Sequence, residues 1–186
     1  MLCAVIDSWF QVFILSRYSH QRPEVSKLKH KSALRFIGNL KFLSAKRRFE
    51  LYPPIFLMGA KVLKMDEEWN HVRLLLPLNW RSANSGGNMF GGYQASLADP
   101  IPALACCREF PGYRIVTKSL KIDFIRPGNS DLELRFDFNQ AQKEIIREEL
   151  KAKGQADPAF TLAYYRKDGK VCTKILNIVA IRRFMV

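Results

Sequence analysis

The chain has 186 residues, 48% hydrophobic and 12% aromatic, enough for one domain with a sizeable core and an extension. Its four cysteines (Cys3, Cys106, Cys107, Cys172) show no paired-ligand spacing and its three histidines are scattered. No metal, cofactor or disulfide framework is therefore expected, and a reducing, cytoplasmic setting is the default. The net charge of +13 is uneven, because residues 1–49 hold ten Lys/Arg against Asp7 and Glu24.

Residues 1–16 are apolar and aromatic, too short to span a bilayer, and lack the basic start and small-residue cleavage site of a secretory signal. Residues 19–31 are polar and read as a linker. Residues 32–49 predict a helix, with Ser32 as cap and Leu34, Ile37, Leu40 and Leu43 at helical spacing. Lys41, Lys46, Arg47 and Arg48 crowd its end, and Tyr52-Pro53-Pro54 stops it. Such a basic helix can contact an anionic membrane surface or pack on the domain with its cations in water. The second reading is preferred, and with no aromatic-basic module nearby no nucleic acid is expected. The division is thus a basic, partly helical extension over 1–50 and a folded domain over 51–186.

Within the domain, Lys61–Met65 and His71–Leu78 predict a hairpin turning at Asp66–Asn70. A loop rich in Asn, Ser and Gly covers 79–89. Phe90–Phe110 is apolar on every side and predicts a buried helix, with Cys106 and Cys107 as packing residues. Tyr113–Ile125 and Leu132–Phe138 alternate as strands, broken at Arg126-Pro127-Gly128. Residues 140–153 predict an exposed helix with Ile145, Ile146 and Leu150 inward and Gly154 as its cap. Ala159–Tyr165 and Val171–Phe184 close the chain as a hairpin. His71 reads as a surface residue, and Lys118 has no evident partner. The order gives an α+β layout, a curved antiparallel sheet wrapped around one long helix.

The segment from Asn84 to Pro100 carries the candidate chemistry. Asn84, Gly87, Phe90-Gly91-Gly92 and Leu97-Ala98-Asp99 resemble the hotdog-fold thioesterases of the phenylacetate-pathway type, whose pattern is Asn, Gly three residues on, His-Gly-Gly, then Asp nine residues after the His. Phe90 stands where that family often has His. A branch with Phe-Gly-Gly and Ala-Asp-Pro is more similar still, as are Leu78-Asn79-Trp80-Arg81 and Arg126-Pro127-Gly128. The resemblance covers about residues 55–184. It implies a homodimer or homotetramer with an acyl-CoA-like ligand between subunits. Asp99 would be nucleophile or general base, and the Gly91 N–H would polarise the thioester oxygen. It equally allows a module that binds acyl-CoA or fatty acyl ligands without catalysis.

These roles are chemically reasonable. A helix start offers unpaired N–H donors at the positive end of the helix dipole, and glycines let substrate approach the backbone. Apolar surroundings would raise the basicity of Asp99. Asn84 could hold water or the substrate carbonyl. Gly87, Phe90 and Gly92 would line the substrate path, and Arg126 could meet carrier phosphates. Two alternatives stay open: Asp99-Pro100 is also the signature of a helix N-cap, and Asn84 and Gly87 also suit an ordinary turn.

Overall fold

A computed structural model describes residues 43–184. The apolar segment 1–16 and the linker 19–31 lie outside these residues, as does most of the helix expected over 32–49. That helix is not continuous to residue 49. Ser44 is extended (φ −59°, ψ 155°), and its hydroxyl accepts the Arg47 N–H, so a new helix starts there. This α1 (Ala45–Leu51) ends at Tyr52, as the prolines require. Proline is also well placed in a first helical turn, and Pro53 opens a second helix, α2 (Pro53–Met58), that was not anticipated.

Helix α1 joins the core. Phe49 is buried and meets the Trp69 ring edge to face at 5.5 Å. Glu50 is buried too, and its carboxylate accepts the Val62 N–H at 2.9 Å and an N–H of Arg47 at 3.2 Å. A buried carboxylate is tolerated because both oxygens are used.

The sheet comprises β1 (Lys61–Met65), β2 (His71–Leu76), β3 (Tyr113–Phe124), β4 (Leu132–Asp137), β5 (Gln155–Ala156), β6 (Ala159–Arg166) and β7 (Val171–Arg183). Six strands run in the order β1-β2-β4-β6-β7-β3, all antiparallel, and the short β5, not anticipated from the sequence, pairs with β7. Alternation sets the buried face: Val72, Leu74 and Leu76 of β2 lie opposite Phe136, Leu134 and Leu132 of β4. The Asp66 turn forms as expected, its carboxylate accepting the N–H groups of Asn70 and His71. Within it, Trp69 is buried in a left-handed conformation at φ 60°.

The central apolar segment forms α3 (Gly91–Ala98) and α4 (Pro100–Glu109), which bury Leu97, Ala98, Ile101, Ala105 and Cys106. It is not buried all round. Ser96 is exposed, while Asp99, Pro100, Leu104 and Cys107 are half-buried, so one stripe stays open.

Helix α5 (Gln140–Lys153) has the expected bounds. Asn139 caps its start, accepting the Gln142 N–H at 2.8 Å, and Gly154 ends it at φ 69°. Its inner face is Ile146, Leu150 and Lys143, whereas Ile145 points outward at 69% exposure. Ile145 and Ile146 are neighbours in sequence and cannot both face inward on a helix. Lys143 is buried because Glu109 of α4 lies 2.7 Å from its ammonium and the Phe138 ring lies beneath it.

Candidate functional site

The loop before α3 is built by its own polar side chains. Ser82 is buried, donating its hydroxyl to Pro77 O at 2.6 Å while its carbonyl accepts the Phe90 N–H at 2.7 Å. The Met89 N–H donates to Gly128 O at 2.8 Å, tying the loop to the Arg126-Pro127-Gly128 segment. Asn84 Oδ1 accepts the N–H groups of Gly86 (2.9 Å) and Asn88 (3.1 Å), and the Gly87 N–H donates to Asn84 O at 3.0 Å. Gly87 adopts φ 73°, which an L side chain rarely takes. The acceptor of Asn84 is therefore spent on the turn.

Helix α3 starts without a side-chain cap, since Phe90 is its N-cap residue. Among the described residues, no hydrogen bond uses the N–H of Gly91 or Gly92, so both remain donors. Two rings lie close by. A Cβ at Gly91 would sit 2.8 Å from Phe124 Cζ, and one at Gly92 would overlap Phe90 Cε1. Both phenylalanines are more than half exposed, and Phe90 packs edge-on against Tyr93.

One turn further on, Gln94 fixes the helix to the sheet. It is buried, and its Oε1 accepts the Thr173 hydroxyl at 2.6 Å while its carbonyl accepts the Tyr164 hydroxyl at 2.8 Å. Burial holds the Tyr164 phenol well above its ordinary range, so it serves as a neutral donor.

Asp99 lies between α3 and α4. Its backbone is helical (φ −52°, ψ −54°), and its side chain makes no capping hydrogen bond. An N-cap residue has extended dihedrals and an engaged side-chain oxygen, so the capping alternative fails. The peptide of Asp99 is firmly held: its N–H donates to Ala95 O at 3.0 Å, and its carbonyl accepts Thr117 Oγ1 and Asn177 Nδ2, each at 3.0 Å. Pro100 and Pro102 lack N–H groups, so the normal helical ladder is interrupted here, and these β3 and β7 side chains pin the interruption.

Asp99 borders a cavity of about 670 Å³ between α1, α2, the open stripe of the central helix and the Val116–Leu120 stretch of β3. Its walls are mainly apolar, from Phe49, Ile55, Trp69, Ala103 and Leu104, with Arg48 and Arg108 also on the lining. Cys107 faces the cavity too, but burial pushes its thiol up to about 12, so it is not a ready nucleophile. Burial likewise raises Cys106. Of the candidate site residues read from the sequence, Asp99 alone lines this cavity. Asn84, Gly87, Phe90, Gly91 and Gly92 gather around the start of α3. Arg126 is exposed at the end of β3, with Nη1 donating to Val171 O at 2.7 Å.

No family model and no curated protein matches the sequence. Solved structures do. A Pseudomonas aeruginosa protein of unknown function, described as a probable thioesterase, matches with 18% identity and TM-score 0.66 over 74% of this chain and 92% of that one. A Haemophilus influenzae thioesterase gives 14% and 0.57, over 75% of this chain and 89% of its own. The PaaI protein of the Escherichia coli phenylacetic acid degradation operon gives 19% and 0.52, over 73% and 88%. The fold is a hotdog.

Seen as a hotdog, the molecule has its sausage in α3–α4 and its bun in the curved sheet. Sequence reasoning missed Gln94, Thr117, Asn177 and Arg108, and read Arg48 only as one of the cations at a helix end. Gln94 left a signal, as a lone amide in an apolar helix. Thr117 and Asn177 are ordinary polar residues on strands, and only the fold brings them to Asp99. Lys118, without an evident partner in the sequence, pairs with Asp157 at 2.7 Å. His71 is exposed as expected, 2.7 Å from Asp137. Among the described residues no His, Cys, Asp and Glu cluster could hold a metal, and no helix is long and apolar enough to cross a membrane.

Proposed function

We propose that this chain is a thioester hydrolase acting on acyl-CoA or a similar carrier-bound acyl group, with Asp99 as general base. The observation that carries the reading is Asp99 on the lining of a mainly apolar cavity, its side chain not engaged in capping. Asp99 takes a proton from water, and the water oxygen bonds to the thioester carbonyl carbon. The oxyanion so formed accepts N–H donors at a helix start. The carbon–sulfur bond then breaks, and the sulfur takes the proton from Asp99, giving a thiol and a carboxylic acid. Asn84 and Gly87 shape the loop that delivers Gly91, Phe90 and Gly92 form the wall beside it, and Arg126 lies on the outer rim.

The reading requires two copies of the chain. Gly91 and Asp99 are eight residues apart, or about 12 Å along a helix. One carbonyl group cannot touch both in the same chain, so the base and the oxyanion donor come from different copies. A dimer through β3 suits this, because β3 is a twelve-residue edge strand with Val116 and Phe124 exposed.

The test is complementation. Gly91→Pro removes the donor at a first helical position, where proline is tolerated, and Asp99→Ala removes the base. Each variant alone is inactive. After mixing and subunit exchange, half of the dimers are mixed and each has one intact site, so about a quarter of wild-type activity returns. No recovery, with mixed dimers demonstrated, refutes the shared site.

A second reading rests on the phenylalanine rings of Phe90 and Phe124 beside the two glycines. If they shield the donors, the chain is a module that binds acyl ligands without hydrolysing them. Acyl-CoA would then raise the melting temperature with no thiol released.

A further inference from the structure

Among the described residues, two arginines of the Asp99 cavity have no carboxylate within salt-bridge distance. Arg48 comes from the last turn of α1 and Arg108 from the last turn of α4. Both are half-buried and both line the cavity. Among the described residues neither forms an ion pair, and each repels the other. Asp66, Glu67 and Glu68 of the β1–β2 turn act on Arg108 without reaching salt-bridge distance, and Asp66 is already committed to Asn70 and His71. Burial pulls the Arg108 guanidinium down from its ordinary value. Two partly desolvated guanidinium groups on the lining of one cavity suit an anion bound between them.

Their place on the cavity defines that anion. Arg108 follows Asp99 by nine residues, which is about 13 Å along the helix and on the opposite flank of the open stripe. Phe49, Ile55, Trp69 and Leu104 give the cavity most of its apolar wall, and Thr117 and Ser119 of β3 add hydroxyls. An alkyl chain fits the apolar part without burying an unpaired polar group. We infer that the cavity takes an acyl chain ending in a carboxylate, with its thioester at Asp99 and its far carboxylate between Arg48 and Arg108. At roughly 1.3 Å per carbon, the span fits about six to ten carbons. The ligand class is the monothioester of a medium-length dicarboxylic acid, which rests on the thioesterase reading above.

The test compares suberoyl-CoA with octanoyl-CoA, which differ only at the far end. The expected kcat/KM ratio is about ten or more in favour of suberoyl-CoA, expressed mainly in KM. Arg108→Gln and Arg48→Gln bring the ratio to about one, and Arg108→Lys keeps part of it. Free suberate raises the melting temperature more than octanoate, and Arg108→Gln abolishes the difference, a readout that needs no catalysis. Octanoyl-CoA hydrolysed as well as suberoyl-CoA overturns the inference and leaves the hydrolase standing. Arginine-dependent suberate binding with no thioester hydrolysed supports the anion site and removes the hydrolase. Stabilisation by CoA alone, lost in Arg108→Gln and absent with suberate, assigns the arginines to carrier phosphates and overturns the inference.

Discussion

Replacing Asp99 with alanine separates a catalyst from a helix brace, because the two roles predict opposite changes in stability. The structural bonds of Asp99 are made by its peptide: the N–H to Ala95 and the carbonyl from Thr117 and Asn177. Alanine keeps all three. The side chain makes no cap bond, so none is lost. Alanine is the better helix former by about 0.5 kcal/mol, so the variant should be unchanged or slightly more stable. For a chain of this size that is a melting temperature raised by about 1–2 °C. Losing a true cap would cost about 1 kcal/mol and lower the midpoint by about 2–4 °C. Losing a general base costs about 10²–10⁴ in rate, or roughly 3–5 kcal/mol of barrier. Calorimetry and thiol release from an acyl-CoA panel read the two effects on one preparation. A midpoint lowered by about 3 °C with turnover unchanged would falsify the assignment.

Other parts of the molecule make independent predictions. Thr173→Val removes the hydroxyl that bonds Gln94 Oε1 and leaves that buried acceptor unpaired, at a cost of about 1–3 kcal/mol. Adding Gln94→Met should recover most of the loss in denaturant unfolding, and two additive penalties would show that the pair is not coupled. In the β6–β7 turn, the Arg166 side chain holds the Asp168 carboxyl at about 2, below its ordinary 3.8. A depressed folded value means that stability from this pair is full above about pH 4 and is lost as the pH falls towards 2. Asp168→Asn should flatten the melting temperature across that window at low salt, and parallel wild-type and variant curves would remove the pair from the acid transition.

The sheet was legible because its strands alternate and its turns carry specific chemistry. Helix α5 was legible because its apolar residues recur at helical spacing and Gly154 marks its end, while the Asn139 cap at its start went unread. Helix α2 was not, because Pro53-Pro54 ends one helix and opens the next with the same residues. Ile145 was misplaced because two adjacent apolar residues compete for one helix face, and the buried ion pair of Lys143 with Glu109 decides in favour of Ile146. For the site, the Gly-Gly to Asp-Pro spacing located the helix start and Asp99, but not the purpose of Asp-Pro. That depends on φ and ψ at residue 99, which the dipeptide alone leaves open. The cavity was hidden altogether. Its walls come from residues more than seventy positions apart, and nothing local marks Arg48 and Arg108 as sharing one cavity.

Trp69 gives the cavity an optical label of its own. The chain has three tryptophans, Trp9, Trp69 and Trp80. Trp80 is 87% exposed, so its emission follows bulk water and hardly responds to events inside. Trp69 is buried, touches Phe49 and forms part of the cavity lining. With Trp80 changed to phenylalanine, the blue part of the emission reports on Trp69, and an entering acyl chain should change it on the timescale of a stopped-flow mixing experiment. Occupancy of the cavity can then be timed separately from bond cleavage, without modifying the ligand.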